Sequence, residues 1–250
     1  MITKITSNDR TNKVVVTVDA ESTLSSTLEL ASALAVASQS ELHGLFIEDL
    51  DLLRVASLPF AREVMLAGGQ PRILDNQQLL CSLNSRSRHF RQSLARYAQQ
   101  SALAWTYSTV RGRRRSMELT ESAGAEFLII GQPGDRQSQI LNLKRILLIN
   151  DKNPRLHQAL DVVLANIPGQ SVELLLASPV KVTARKSLQQ LTSKLEAHPN
   201  SILIQINPGA LITTLTLKAQ PVDFVIASRQ EPELLQQIMQ RATCPVIVVC

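Results

Sequence analysis

Apolar residues in this chain recur in two alternating rhythms. Short aliphatic or β-branched runs at Val14 to Val18, Leu42 to Ile47, Leu103 to Val110 and Phe127 to Ile130 have the length of buried strands. Between them Leu24, Leu28, Ala31 and Ala35, and later Leu79, Leu83, Phe90, Leu94 and Tyr97, follow the 3.6-residue spacing of helices. Strands alternating with helices predict a mostly parallel sheet covered by helices. Ser22 or Thr23 is the expected N-cap of the first helix. The second helix is predicted over Asn76 to Gln100, with Arg88, Arg91 and Arg96 directed away from its apolar side.

The pattern then starts over. Strands are predicted at Ile146 to Ile149, Val172 to Leu176, Ile202 to Ile206 and Pro245 to Val249, and helices at Pro154 to Ile167, Ala184 to Ala197 and Pro232 to Arg241. At a constant offset of 132, Lys13 to Asp19 matches Arg145 to Asp151, and Leu24, Leu28, Ala33, Glu41 and Leu42 fall on like residues. At an offset of 97, Gly112 and Glu126 to Ile129 match Gly209 and Asp223 to Ile226. That second register makes Leu211 to Leu217 a helix, since it aligns with the helical Arg114 to Thr120, although its β-branched composition favours a strand. Two tandem units are expected, 1–143 and 144–250. The first carries an insertion at about 49–75 and lacks its last helix and strand, because too few residues separate Gly131 from Lys144 to hold both with their turns.

Composition narrows the class. The chain has 250 residues, 44% of them apolar, enough for two cores. A polar N-terminus without an apolar h-region, and no apolar run long enough to span a bilayer, predict a soluble cytoplasmic protein with no membrane partner. Cys81, Cys244 and Cys250 have no zinc or disulfide spacing and are expected to be reduced thiols in packed positions. The formal charge of +5 is less telling than its placement. Between Asp75 and Glu118 lie eight arginines (Arg86, Arg88, Arg91, Arg96, Arg111, Arg113, Arg114 and Arg115) and no acidic residue.

The first strand ending in Val18 and Asp19, the helix rich in Leu and Ala, the run Ala125 to Gly131, and the terminal Cys244 to Val249 together resemble the universal stress protein family in its tandem form. The resemblance implies an α/β fold of sheet order 3-2-1-4-5 in each unit. It also implies a ligand beside the carboxyl ends of strands 1 and 4, where the chain changes direction and leaves N–H groups free. ATP or another adenine nucleotide is the cofactor that pattern implies, and its match here is partial. Asp19 takes the first position and Gly131 with Gly134 supplies a G-x-x-G, but Lys144 stands ten residues beyond and no G-[S/T] follows. A G-x-x-G without the phosphate loop reads more simply as a tight turn. The second unit keeps Asp151 but has Ser228 to Pro232 instead of a glycine loop.

Arg111, Gly112, Arg113, Arg114 and Arg115 follow the third strand at the same edge. Two readings stand: guanidiniums that clamp a phosphate or an acidic partner, or a solvated turn and helix start. Trp105 and Tyr107 are read as core residues under a helix. The insertion residues Leu52, Val55, Phe60 and Val64 form either a lid or docking helix or one packed on its own unit. His43, His89, His157 and His198 have no partner nearby in sequence, so no metal or catalytic triad is assigned. Asp19 and Asp151 read as ligand hydrogen-bonders or strand-end caps. The expected function is non-enzymatic stress response or signalling, with an anionic small molecule or acidic protein as partner and the two units paired within the chain, open to further oligomerisation. The alternative is a nucleic-acid-binding or scaffold protein using the Arg86 to Arg115 surface without a small ligand.

Overall fold

One nine-stranded sheet runs through the molecule and organises everything else in the computed structural model. The structure describes residues 12–18, 25–63, 72–131, 143–149, 153–177, 185–207, 215, 221–230 and 232–250. The first series of elements is β1 (Lys13–Val18), α1 (Ser25–Ser38), β2 (Glu41–Asp49), α2 (Leu50–Ala56), the two-residue strands β3 (Arg62–Glu63) and β4 (Arg72–Ile73), α3 (Asn76–Gln100), β5 (Trp105–Gly112), α4 (Arg114–Glu121) and β6 (Phe127–Ile130). The second is β7 (Leu143–Ile149), α5 (Pro154–Ala165), β8 (Ser171–Ala177), α6 (Arg185–Leu195), β9 (Ile202–Ile206), β10 (Phe224–Ser228), α7 (Pro232–Arg241) and β11 (Val246–Val249). The helix expected at 211–217 lies, Leu215 apart, outside the described residues, as do Ser22 and Thr23.

The strands are ordered β5-β2-β1-β6-β11-β10-β7-β8-β9, and β3 pairs only with β4. Seven of the eight pairings in the large sheet are parallel and lie within 13–130 or 143–249. The eighth, among the described residues, is the antiparallel seam of β6 against β11, with Ile129 opposite Ile247 and Leu128 opposite Val248. β11 is thus hydrogen-bonded to β10 on one side and β6 on the other, and the edge that β6 would otherwise expose is closed. The offsets seen in the sequence recur as equivalent backbone bonds: Glu126 N donates to Lys13 O at 2.8 Å, and Asp223 N to Arg145 O at 2.8 Å.

Both sheet faces are covered, so the strands read as continuous apolar runs. Val14, Val16 and Val18 face a layer with α1, α3, α5 and α6, while Val15 faces the opposite layer with α4 and α7. Local chemistry sets the helix starts. Asp75 caps α3 by accepting from Gln77 N at 2.9 Å, and Asn153 caps α5 just ahead of Pro154. Gly44 is required by close packing, since a Cβ there would come within 2.5 Å of Leu94 Cδ2 on α3. Trp105 and Tyr107 are partly buried under α3, and Tyr107 meets Phe90 edge-on with centroids 5.7 Å apart.

Two details differ from expectation, and the insertion shows features of both readings given for it. Strand β5 begins at Trp105 because Leu103 N is still donating to Ala98 O in the turn that ends α3. Cys81 is exposed on α3, since Leu79 and Leu83 occupy the inward positions; Cys244 is buried and Cys250 half-buried. In the insertion, Leu53 packs on the core and Ala56 is buried, whereas Leu52, Val55 and Phe60 are exposed, Phe60 by 75%. Val64 lies outside the described residues.

Candidate functional site

The sheet order places β1 between β2 and β6, and β7 between β8 and β10, so the connections diverge at two points. A crevice at the carboxyl ends of the strands is expected at each. In the first, Gly131 follows β6 and its N–H donates to Thr17 O at 3.1 Å, which carries the β1–β6 ladder to its last rung. Its carbonyl accepts from Arg114 Nη2 at 2.5 Å. Arg114 also donates through Nε to Glu118 Oε1 at 2.9 Å, an i,i+4 pair on α4 in which the Glu118 side chain is 2% exposed. A carboxylate buried to that degree needs a partner, and Arg114 supplies it.

Arg111 is the register partner of Glu48 on β2, and both Arg111 Nε and Nη2 donate to Glu48 Oε2, at 2.9 and 2.7 Å. Arg113 Nε lies 3.8 Å from Asp51 on α2, with both side chains exposed. The absence of acidic residues between Asp75 and Glu118 therefore does not leave these three charges uncompensated. Parallel pairing brings in the end of β2 and the start of α2, whose carboxylates stand some sixty residues earlier. Gly112 has a packing role as well: a Cβ would lie 2.5 Å from Met117 Cγ, so any other residue there makes the Met117 side chain of α4 shift. Arg113 is the N-cap of α4 and makes no side-chain capping bond. Asp19, Gly134 and Asp151, and the side chain of Arg115, lie outside the described residues.

The second crevice is built differently. Ser228 ends β10, and its Oγ accepts from Gln230 N at 3.2 Å. The next residue, Arg229, donates through Nη2 to Leu119 O at the end of α4, 2.7 Å away. Arg155 Nη2 reaches Glu126 Oε1 at 2.8 Å, Ser40 Oγ donates to the other oxygen of Glu126 at 2.8 Å, and Cys250 N donates to Glu126 O at 3.0 Å. These bonds flank the β6–β11 seam. Burial pushes the Cys250 thiol upward against the lowering effect of Arg229 and Arg155.

A cluster that local sequence reading missed lies toward the amino ends of β2 and β5. Thr106 Oγ1 donates to Glu41 Oε1 at 2.5 Å and so accepts from His43 Nδ1 at 2.8 Å; His43 Nε2 then accepts from Ser108 Oγ at 2.9 Å. Burial, reinforced by Lys13 and opposed by Glu41, holds His43 down at about 4, so the ring is neutral at pH 7. The cluster ties the edge strand β5 to β2. His43 and its hydroxyl partners stand more than sixty residues apart, and only the strand register joins them.

Elsewhere, a hollow of about 440 Å³ between α5 and α6 is lined by Leu164, Ala165, Pro168 and His198 and bordered by the Lys194–Asp161 ion pair. Among the described residues no three His, Cys, Asp or Glu side chains are grouped to hold a metal ion. Nor is any described helix long and apolar enough to cross a membrane.

No family model matches this chain, and no curated protein does. Among solved structures it is similar to a universal stress protein from Archaeoglobus fulgidus DSM 4304, at 10% identity and TM-score 0.46 over 96% of each chain. It is similar to a protein of the universal stress protein family from Burkholderia pseudomallei, at 12% identity and TM-score 0.29 over 80% of this chain and 98% of that one. A third likeness, at 14% identity and TM-score 0.39 over 95% of this chain and 94% of the other, is to the cytoplasmic domain of a prokaryotic cation chloride cotransporter. Likenesses this distant tell nothing of what this chain binds.

Proposed function

We propose that this chain is a non-enzymatic, cytoplasmic stress-response or signalling protein that takes an adenine nucleotide or another anionic ligand at the crevice of its first half. The observation that supports this reading is the position of Gly131, at the point where the chain diverges between β1 and β6, with its peptide held by Thr17 on one side and Arg114 on the other. A ligand bordered by Asp19, Gly131 and Gly134 would press on a peptide already bonded to Arg114. Arg114 begins α4, whose N-cap Arg113 faces Asp51 of the insertion helix α2. Occupancy of the crevice is thereby joined through one short helix to a segment carrying exposed Leu52, Val55 and Phe60. The change in that segment is the signal.

Calorimetry of the full chain with ATP tests the reading. One site per chain is expected, abolished by Gly131→Val in a variant whose circular dichroism is unchanged. Two equivalent sites, or binding indifferent to Gly131→Val, would contradict it.

A further inference from the structure

The arginines that lie away from the crevice are in a different state. Along all 25 residues of α3 there is no Asp or Glu; the one carboxylate at the helix is its N-cap, Asp75. Every exposed residue of α3 is Arg, Asn, Gln, Ser, His or Cys, while Leu83, Phe90 and Leu94 are turned into the core. Among the described residues, no carboxylate pairs with Arg86, Arg88, Arg91 or Arg96. Two of them are held by weak local contacts only: Arg88 Nε donates to Asn84 O at 3.3 Å, and the Arg96 guanidinium lies 5.5 Å from the centre of the Tyr97 ring.

Such a face is made almost wholly of donors suited to phosphate oxygens and sugars. It has no large apolar side chain to anchor a protein partner, because the exposed Leu52, Val55 and Phe60 belong to the α2 segment. It also has no exposed Phe, Tyr or Trp on which unpaired bases could stack, Tyr97 being partly buried against the core. Arg88, Arg91 and Arg96 lie on the side of α3 opposite Leu83 and Phe90; from Arg88 to Arg96 the helix rises roughly 12 Å, a length over which a duplex carries on the order of seven phosphates. We propose that the outer face of α3 binds the phosphate backbone of double-stranded nucleic acid, without reading its sequence, and independently of any ligand in the crevice.

The test is fluorescence anisotropy of the full chain with a labelled 20-base-pair duplex at several salt concentrations. Binding should weaken steeply with salt. Replacing Arg88, Arg91 and Arg96 together by Gln should cost at least about tenfold in affinity and flatten the log–log salt slope by about two to three. Arg111→Gln should leave both unchanged, since its charge is already taken up by Glu48. The double variant Ser85→Glu with Gln92→Glu keeps every arginine and should weaken binding too, which covers the case of a triple variant that does not fold. The proposal is overturned if the duplex does not bind, if neither α3 variant alters the binding, or if a single-stranded 20-mer or polyglutamate binds more tightly than the duplex.

Discussion

Arg111, Arg113 and Arg114 stand where β2, α2, α4 and the end of β6 converge, and each has a carboxylate in ion-pair reach. Arg86, Arg88, Arg91 and Arg96 stand on one long helix and, among the described residues, have none. Both groups belong to the same acid-free stretch of sequence. The difference comes from what the fold sets beside them. At the sheet's carboxyl edge, parallel register delivers Glu48 opposite Arg111, and one helical turn delivers Glu118 to Arg114. The outer face of α3 has solvent opposite it. Residues of one chemistry thus serve as fastenings in one place and as available charge in the other.

The largest expected effect lies in the buried pair. Arg114→Ala removes the ion pair from the buried Glu118 carboxylate and a donor from Gly131 O, so chemical denaturation should show a loss of about 3 kcal/mol. Glu118→Gln introduced alongside it should recover part of that loss. If Arg114→Ala costs nothing, the crevice arginines are as free as those on α3 and the comparison fails.

Next comes Gly112. Gly112→Ala drives a methyl against Met117 and should cost about 1 to 3 kcal/mol by the same measurement. An unchanged stability with lost ligand binding would instead make Gly112 part of the ligand site.

His43 offers a neutral contrast at the other end of the same strand pair. Its folded value, about 4, lies below the ordinary 6.5, so the unfolded chain takes up a proton that the folded chain refuses. The contribution is complete above about pH 6.5 and is lost as pH falls through the interval down to about 4. For a side chain this open to solvent the loss should be on the order of 1 kcal/mol. Denaturation midpoints of the native chain and of His43→Asn across that interval check it; equal slopes would remove His43 as the cause.

The exposed charges come last. Arg111→Ala should cost about 1 kcal/mol, because its own guanidinium is more than half exposed while Glu48 is 12% exposed. Each Arg→Gln change on α3 should cost under about 0.5 kcal/mol.

Much of the architecture was legible in the chain. Phe127–Ile130, Ile202–Ile206, Asn76–Gln100 and Pro232–Arg241 fall where the apolar pattern puts them. Those signals are local, and short-range physics produces them. The start of β5 was less legible, because Leu103 closes the end of α3 before the strand begins. The site was least legible of all. The pairing of Arg111 with Glu48, and of His43 with Thr106 and Ser108, depends on which residues of β2 and β5 stand opposite one another. Nothing within ten residues of Arg111 announces Glu48. Gly112 was read with its neighbouring arginines as part of an anion clamp or a solvated turn, and what it meets is the Met117 side chain.

The most direct test of fastened against available arginines is selective modification of the native chain with an arginine-specific dicarbonyl reagent, followed residue by residue by mass spectrometry. The expected result is rapid modification of Arg86, Arg88, Arg91 and Arg96 while Arg114 stays protected until the chain is unfolded. Modification of Arg114 at the same rate as the α3 arginines, in protein that is still folded, would contradict the account.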